Sequence, residues 1–271
     1  MKAAHCRHIP GLLSLIALLA LPGAAEAATL ILGASSQSRY SQDGTDFAAF
    51  FPSEPIGNTF TGFQDELEYR AYFVFDVSTI SSPIASGKLK LMNKRYYSSA
   101  NSEAIALYDV NTPVASLVGG VQQPEIFDDL GEGTVYGNAT VFATPPQNDF
   151  DNVVEEFFEV TLTSAAIQDI NQAAAQGDDF FALGVRLVET GEPSPYVFTT
   201  PIVAGRTTEG IIFSGGPYDP IQDSETLGEL ILETAPPPPT DVPEPAGVMS
   251  ILALGSAGAI AQRLAKRQPP R

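Results

Sequence analysis

Residues 69–77 alternate strictly. Tyr69, Ala71, Phe73, Phe75 and Val77 are apolar, and Arg70, Tyr72, Val74 and Asp76 between them are mixed. A period of two puts the first set on one face of an extended strand and rules out a helix, whose apolar positions recur every three to four residues. Residues 87–93 repeat the pattern, with Leu89 and Leu91 opposite Lys88, Lys90 and Met92. Further strands are expected over 104–110, 156–162, 180–188, 209–213 and 227–233, with shorter ones at 29–32, 135–142 and 196–199. Gly, Pro, Asn and Asp clusters separate them. One segment departs from this period. Thr163 or Ser164 can cap a helix over 165–175 that ends at Gly177 and turns Ile167 and Ile170 inward. Eight to ten strands, one short helix and no internal repeat predict an all-β fold, a jelly-roll-like β-sandwich over residues 28–234.

The two ends read differently. Lys2 and Arg7 precede an apolar run over 9–21 and an Ala25-Glu26-Ala27 cleavage site, the layout of a secretory signal peptide over residues 1–27. The expected partners at this end are the Sec machinery and signal peptidase. A proline-rich linker over 235–241 holds Pro236 to Pro239 and has no capacity to pack a core. Val242, Pro243, Glu244 and Pro245 follow, then an apolar run over 246–261, then Arg263, Lys266, Arg267 and Arg271. As a helix the run would rise about 24 Å, short of a hydrocarbon core of about 30 Å. It is expected to hold the membrane transiently, with the basic tail on the cytoplasmic side.

Tripeptide, single hydrophobic helix and basic tail over 242–271 resemble the PEP-CTERM sorting signal of Gram-negative bacteria. The resemblance implies an exported cell-surface or extracellular protein that is recognised and cut by the transpeptidase exosortase. It also implies a setting of exopolysaccharide or biofilm matrix. A second resemblance rests on the run from Tyr69 to Ser78, then Ile80 and the Ala85 to Leu91 stretch. Together with Phe158 to Leu162, the helix and the strand from Phe180, these are similar to DNRLRE-type extracellular domains. This chain departs from them in an acidic insert over 122–151. The resemblance implies a carbohydrate-binding or structural module.

Composition closes off much chemistry. His5, Cys6 and His8 are the only residues of their types, and all lie in the signal segment. The remainder therefore has no thiol nucleophile, imidazole base or Cys/His zinc site. Of 32 acidic and 14 basic side chains, 29 and 8 fall within residues 28–240, a balance that repels nucleic acid. Any catalysis would rest on carboxylates, as in an extracellular glycosidase or lyase. Asp65, Glu66 and Glu68 precede one strand, and Asp149, Asp151, Glu155, Glu156 and Glu159 cluster at another. The same residue types suit a structural calcium ion, for which Asp43 with Asp46 and Asp149 with Asp151 are the candidates, or they are solvated turn acids. The chain has no Trp, so a glycan platform would use Tyr. Arg95, Tyr96, Tyr97 and Asn101 read as a loop offering two rings, a guanidinium and an amide, or as turn aromatics folded onto the sandwich edge. Tyr136 and Tyr218 are further candidates. The reading expected from the sequence is a non-catalytic structural or carbohydrate-binding matrix component, with a carbohydrate-active enzyme as the alternative.

Overall fold

The alternating strand lies at the centre of the fold and is covered on both faces. In a computed structural model, residues 27–45, 59–119, 123–143, 156–188, 196–197, 207–213 and 228–236 are described. The strand is β3, Leu67–Asp76, which follows β1, Thr29–Ser41, and β2, Thr59–Gln64. Ala71, Phe73 and Phe75 enter the main core, while Tyr72 and Val74 enter a second cluster with Tyr40, Leu117, Ile126, Phe127, Leu130 and Ala182. Two short helices supply that cover: α1, Val114–Val118, and α2, Pro124–Asp129, with proline in the first turn where its missing N–H is harmless. Burial on both faces explains why the face expected to be mixed carries Tyr72 and Val74.

The remaining strands are β4, Ile84–Tyr97; β5, Ser102–Asp109; β6, Val135–Phe142; β7, Glu156–Thr161; β8, Phe180–Val188; β9, Tyr196–Val197; β10, Thr207–Phe213; and β11, Glu229–Thr234. Every pairing is antiparallel, and the strands form one large hydrogen-bonded sheet in the order β1-β11-β4-β10-β2-β3-β8-β5-β6, with β7 on β4 and β9 on β10. Two long strands change neighbours along their length. Thr29 to Gly33 of β1 pair with β11, and Ala34 to Ser41 pair with β3, with a register shift between Ala34 and Ser36. Ile84 to Lys90 of β4 pair with β11, and Asn93 to Tyr97 pair with β10. Because β1 touches both β11 and β3, the pairings β1-β11-β4-β10-β2-β3 close into a ring, a sandwich-like all-β arrangement around one main core.

The helix α3, Ser164–Gln176, sits where it was expected. The Thr163 hydroxyl accepts from the Ala166 N–H, and Gly177 ends the helix at φ 77°, a conformation that costs other residues about 1–2 kcal/mol. Asn171 fastens α3 to the start of β4 by accepting from the Ile84 N–H at 2.7 Å and donating to the Ile84 carbonyl at 2.9 Å. The expected ten strands all fall on observed ones. β2, α1 and α2 were not anticipated, so the single expected helix becomes three among the described residues.

Candidate functional site

The main core is apolar except at one end. Strand alternation places Glu103 in phase with Ile105 and Leu107 on β5, and Glu209 in phase with Ile211 and Phe213 on β10. Tyr96 of β4 stands opposite Ile211 and shares that interior face. Around these groups the chain turns from β4 to β5. The Ser98 hydroxyl donates to Glu103 Oε1 and accepts from the Ala100 N–H at 2.9 Å, and the Tyr96 hydroxyl donates to the Ala100 carbonyl at 3.1 Å. Burial pushes the Glu103 carboxyl above its ordinary pKa; the Ser98 bond opposes the shift, and the charge of Glu209 adds to it. The Tyr96 phenol is raised as well, first by burial and then by Glu103. A carboxyl whose protonated form is favoured by burial and by the charge of a second carboxylate is a group able to give and take a proton. Neither Glu103 nor Glu209 was singled out from the sequence. The signal available was a carboxylate in the inward phase of an alternating strand.

The expected tyrosine platform does not form. β4 continues through Tyr97, so the two rings are successive strand residues on opposite faces, and they are only 7% and 8% exposed. Tyr96 belongs to the core, while Tyr97 stands opposite Gly210 and accepts from the Arg95 guanidinium at 3.4 Å. Asn101 is exposed, and its carbonyl accepts from the Ala143 N–H at 2.8 Å. Tyr136 was expected at the surface but is buried, stacked on Phe181 and bonded to Asp169. Tyr218 lies outside the described residues.

The carboxylates before β3 have structural work. Asp65 and Glu66 form the two-residue turn of the β2–β3 hairpin at φ 48° and 74°, the sign that the twist of a tight hairpin requires. Asp65 also accepts from the Thr207 N–H at 3.1 Å. Glu68 is buried between two guanidinium groups, accepting from Arg70 Nε and Arg186 Nε at 2.9 Å each. Arg70 further donates to the Phe127 and Asp128 carbonyls and lies 4.0 Å from the centre of the Phe127 ring, while Arg186 reaches the Gly131 carbonyl. This triad clamps α2 and its exit to the sheet. Removing one partner of such a buried pair costs about 3–5 kcal/mol.

Asp43 lies in the turn after β1. Its carboxylate accepts from the Ser41 hydroxyl at 2.6 Å and the Thr45 N–H at 3.0 Å, bonds that hold it below the usual carboxylate range. Asp46, Asp149, Asp151 and Glu155 lie outside the described residues. Among the described residues no three carboxylates converge on one point.

On the outer face of β4, Lys88 meets Glu159 of β7 and Lys90 meets Glu229 of β11, each at 2.8 Å. Lys90 also sits 4.4 Å from the Phe157 ring centre. An open groove lies beside α3, lined by Ile80, Pro83, Asn171 and Ala174 among others. The signal segment, the sorting residues Val242, Pro243, Glu244 and Pro245, and the basic residues Arg263, Lys266, Arg267 and Arg271 all lie outside the described residues. Among those described, no helix is long and apolar enough to cross a membrane. Comparison with known family models and with curated proteins finds nothing that matches this chain.

Proposed function

We propose that the chain is an exported cell-surface or matrix protein, recognised and cut by exosortase. In this reading residues 28–234 form a jelly-roll-like β-sandwich that acts as a non-catalytic structural or carbohydrate-binding component of exopolysaccharide. The observation that carries this reading is the sequence of segments in the tail: Val242 to Pro245, one apolar run, then Arg263 to Arg271. The pairing of the domain's ends is compatible with it. Thr29 stands opposite Glu233, and the Ala28 N–H donates to the Thr234 hydroxyl at 2.9 Å, so cleavage after Ala27 and near Pro243 would cut no strand. The C-terminal run would hold the membrane only until processing, and calcium would act through the acidic turns, including that of Asp43.

A second reading, a carbohydrate-active enzyme, is favoured by one observation, the buried Glu103, whose carboxyl pKa is raised by burial and by the charge of Glu209. Glu244→Ala in cells that contain exosortase should leave an unprocessed, membrane-held precursor; wild-type processing and surface display of that variant would overturn the sorting. The same protein, mixed with polysaccharide from those cells, should co-sediment without releasing new reducing or unsaturated ends. Release of ends that disappears in Glu103→Gln would favour the enzyme.

A further inference from the structure

We propose that β6 is a self-association edge that pairs antiparallel with β6 of a second copy of this chain, about a two-fold axis at Thr140. β6 ends the order of paired strands, with β5 on one side. On the other side, among the described residues, its first residues are covered: the Thr163 N–H donates to the Tyr136 carbonyl at 2.7 Å, the Thr163 hydroxyl donates to the Val135 carbonyl at 3.3 Å, and Val160 and Thr161 approach Gly137. Among the described residues nothing bonds the outer backbone edge from Asn138 to Phe142.

An open strand edge is a template for another strand, and proteins blunt such edges with charge, proline or a covering segment. The eight residues of β6, Val-Tyr-Gly-Asn-Ala-Thr-Val-Phe, hold no charge and no proline, in a chain with 32 acidic side chains. The contrast within the molecule is direct. Among the described residues β7 also pairs with one strand, yet it carries Glu156 and Glu159 in six residues. β6 also bears Phe142, at 67% the most exposed large hydrophobic side chain among the described residues, and Val135 at 41%.

Charge and symmetry identify the occupant. Two chains of net charge −18 repel over most of their surfaces, so close approach is least opposed where charge is missing. A two-fold axis perpendicular to the sheet pairs only residues that point to the same face. Centred on Thr140, it sets Asn138 opposite Phe142, Ala139 opposite Val141 and Thr140 opposite its counterpart. The unpaired stretch of one copy thereby meets the unpaired stretch of the other, with a Thr–Thr pair at the centre. This inference does not depend on the sorting proposed above.

The test is sedimentation velocity of the full chain in a mild detergent, over a range of concentrations at about 0.05 M and 0.5 M salt. Wild type should associate reversibly and more strongly at the higher salt, where repulsion is screened. Thr140→Lys should weaken association at least tenfold with an unchanged melting temperature. In a Cys6→Ser background, Thr140→Cys should form a covalent dimer on mild oxidation, whereas Ile31→Cys, at a 59% exposed position on β1, should not. Wild type that stays monomeric at high salt, Thr140→Lys that associates like wild type, or equal cross-linking at both positions would each overturn the proposal. So would a monomer that takes up an extended foreign peptide at β6 instead of a second copy.

Discussion

At the residue scale, two carboxylates show opposite electrostatic consequences. Asp43 accepts hydrogen bonds from Ser41 and Thr45 at an exposed turn, so its ionised form is favoured; the contribution is present above the ordinary carboxylate pKa and is lost as pH falls. Burial raises the Glu103 pKa, so the folded state favours its protonated form more than the unfolded state does. Stability from Glu103 therefore falls as pH rises from its unfolded value, about 4.3, through its raised folded value. Glu103→Gln keeps an oxygen to accept from Ser98 and removes the charge. The variant should melt higher than wild type at pH 8, and the difference should vanish towards pH 4. A variant less stable than wild type at pH 8 would refute this account of Glu103. The sequence shows an ordinary acidic residue here, because strand β10, which brings the charge of Glu209 to bear on it, is distant from Glu103 along the chain.

At the scale of elements, legibility followed periodicity. β3, β6, β8 and α3 were readable because alternation or a capped 3.6-residue pattern is a local property. β2 was not: Thr59 to Gln64 reads as polar and glycine-containing, and it becomes a strand because β3 and β10 pair with it on either side. Gly62 and Gly210 face each other in that pairing, and a Cβ on either would meet backbone carbonyl oxygen at 2.1–2.3 Å. The end of β4 reads as a loop in the sequence because Arg95-Tyr96-Tyr97 lacks alternation; it becomes strand by pairing with β10, across a register shift between Ile212 and Phe213. The hairpin turn gives a direct test. Glu66 holds φ 74°, where a side chain is strained by about 1–2 kcal/mol. Glu66→Gly should raise stability to urea by about 0.5–1 kcal/mol, less than the full strain because glycine also enlarges the unfolded ensemble. A loss of stability would mean that the Glu66 side chain contributes contacts that outweigh the strain.

At the scale of the whole molecule, the ring of pairings closes through the last strand. β11 lies between β1 and β4 and contributes fully buried Leu230 and Leu232. Each buried leucine is worth about 1.5–3 kcal/mol, against a total stability of about 5–15 kcal/mol for a domain. A chain ending at Gly228 loses both, together with two ladders of hydrogen bonds, and should show no cooperative unfolding transition by circular dichroism. One ending at Pro236 retains the ring and should unfold cooperatively. Cooperative melting of the shorter chain would show that β11 is dispensable.

By itself the sequence determined what is local or compositional: an all-β chain, one capped helix, and a remainder without thiol or imidazole chemistry. Alternation and residue counts need no partner to be read. Only the tertiary structure decided that Tyr96 and Tyr97 point to opposite faces, that Glu68 is held by Arg70 and Arg186, and that Glu103 sits inside the core near Glu209. It also decided that the uncharged strand β6 stands at an edge. Burial, register and edge position depend on which distant segments pair, and pairing is a property of the closed fold that no window of sequence contains.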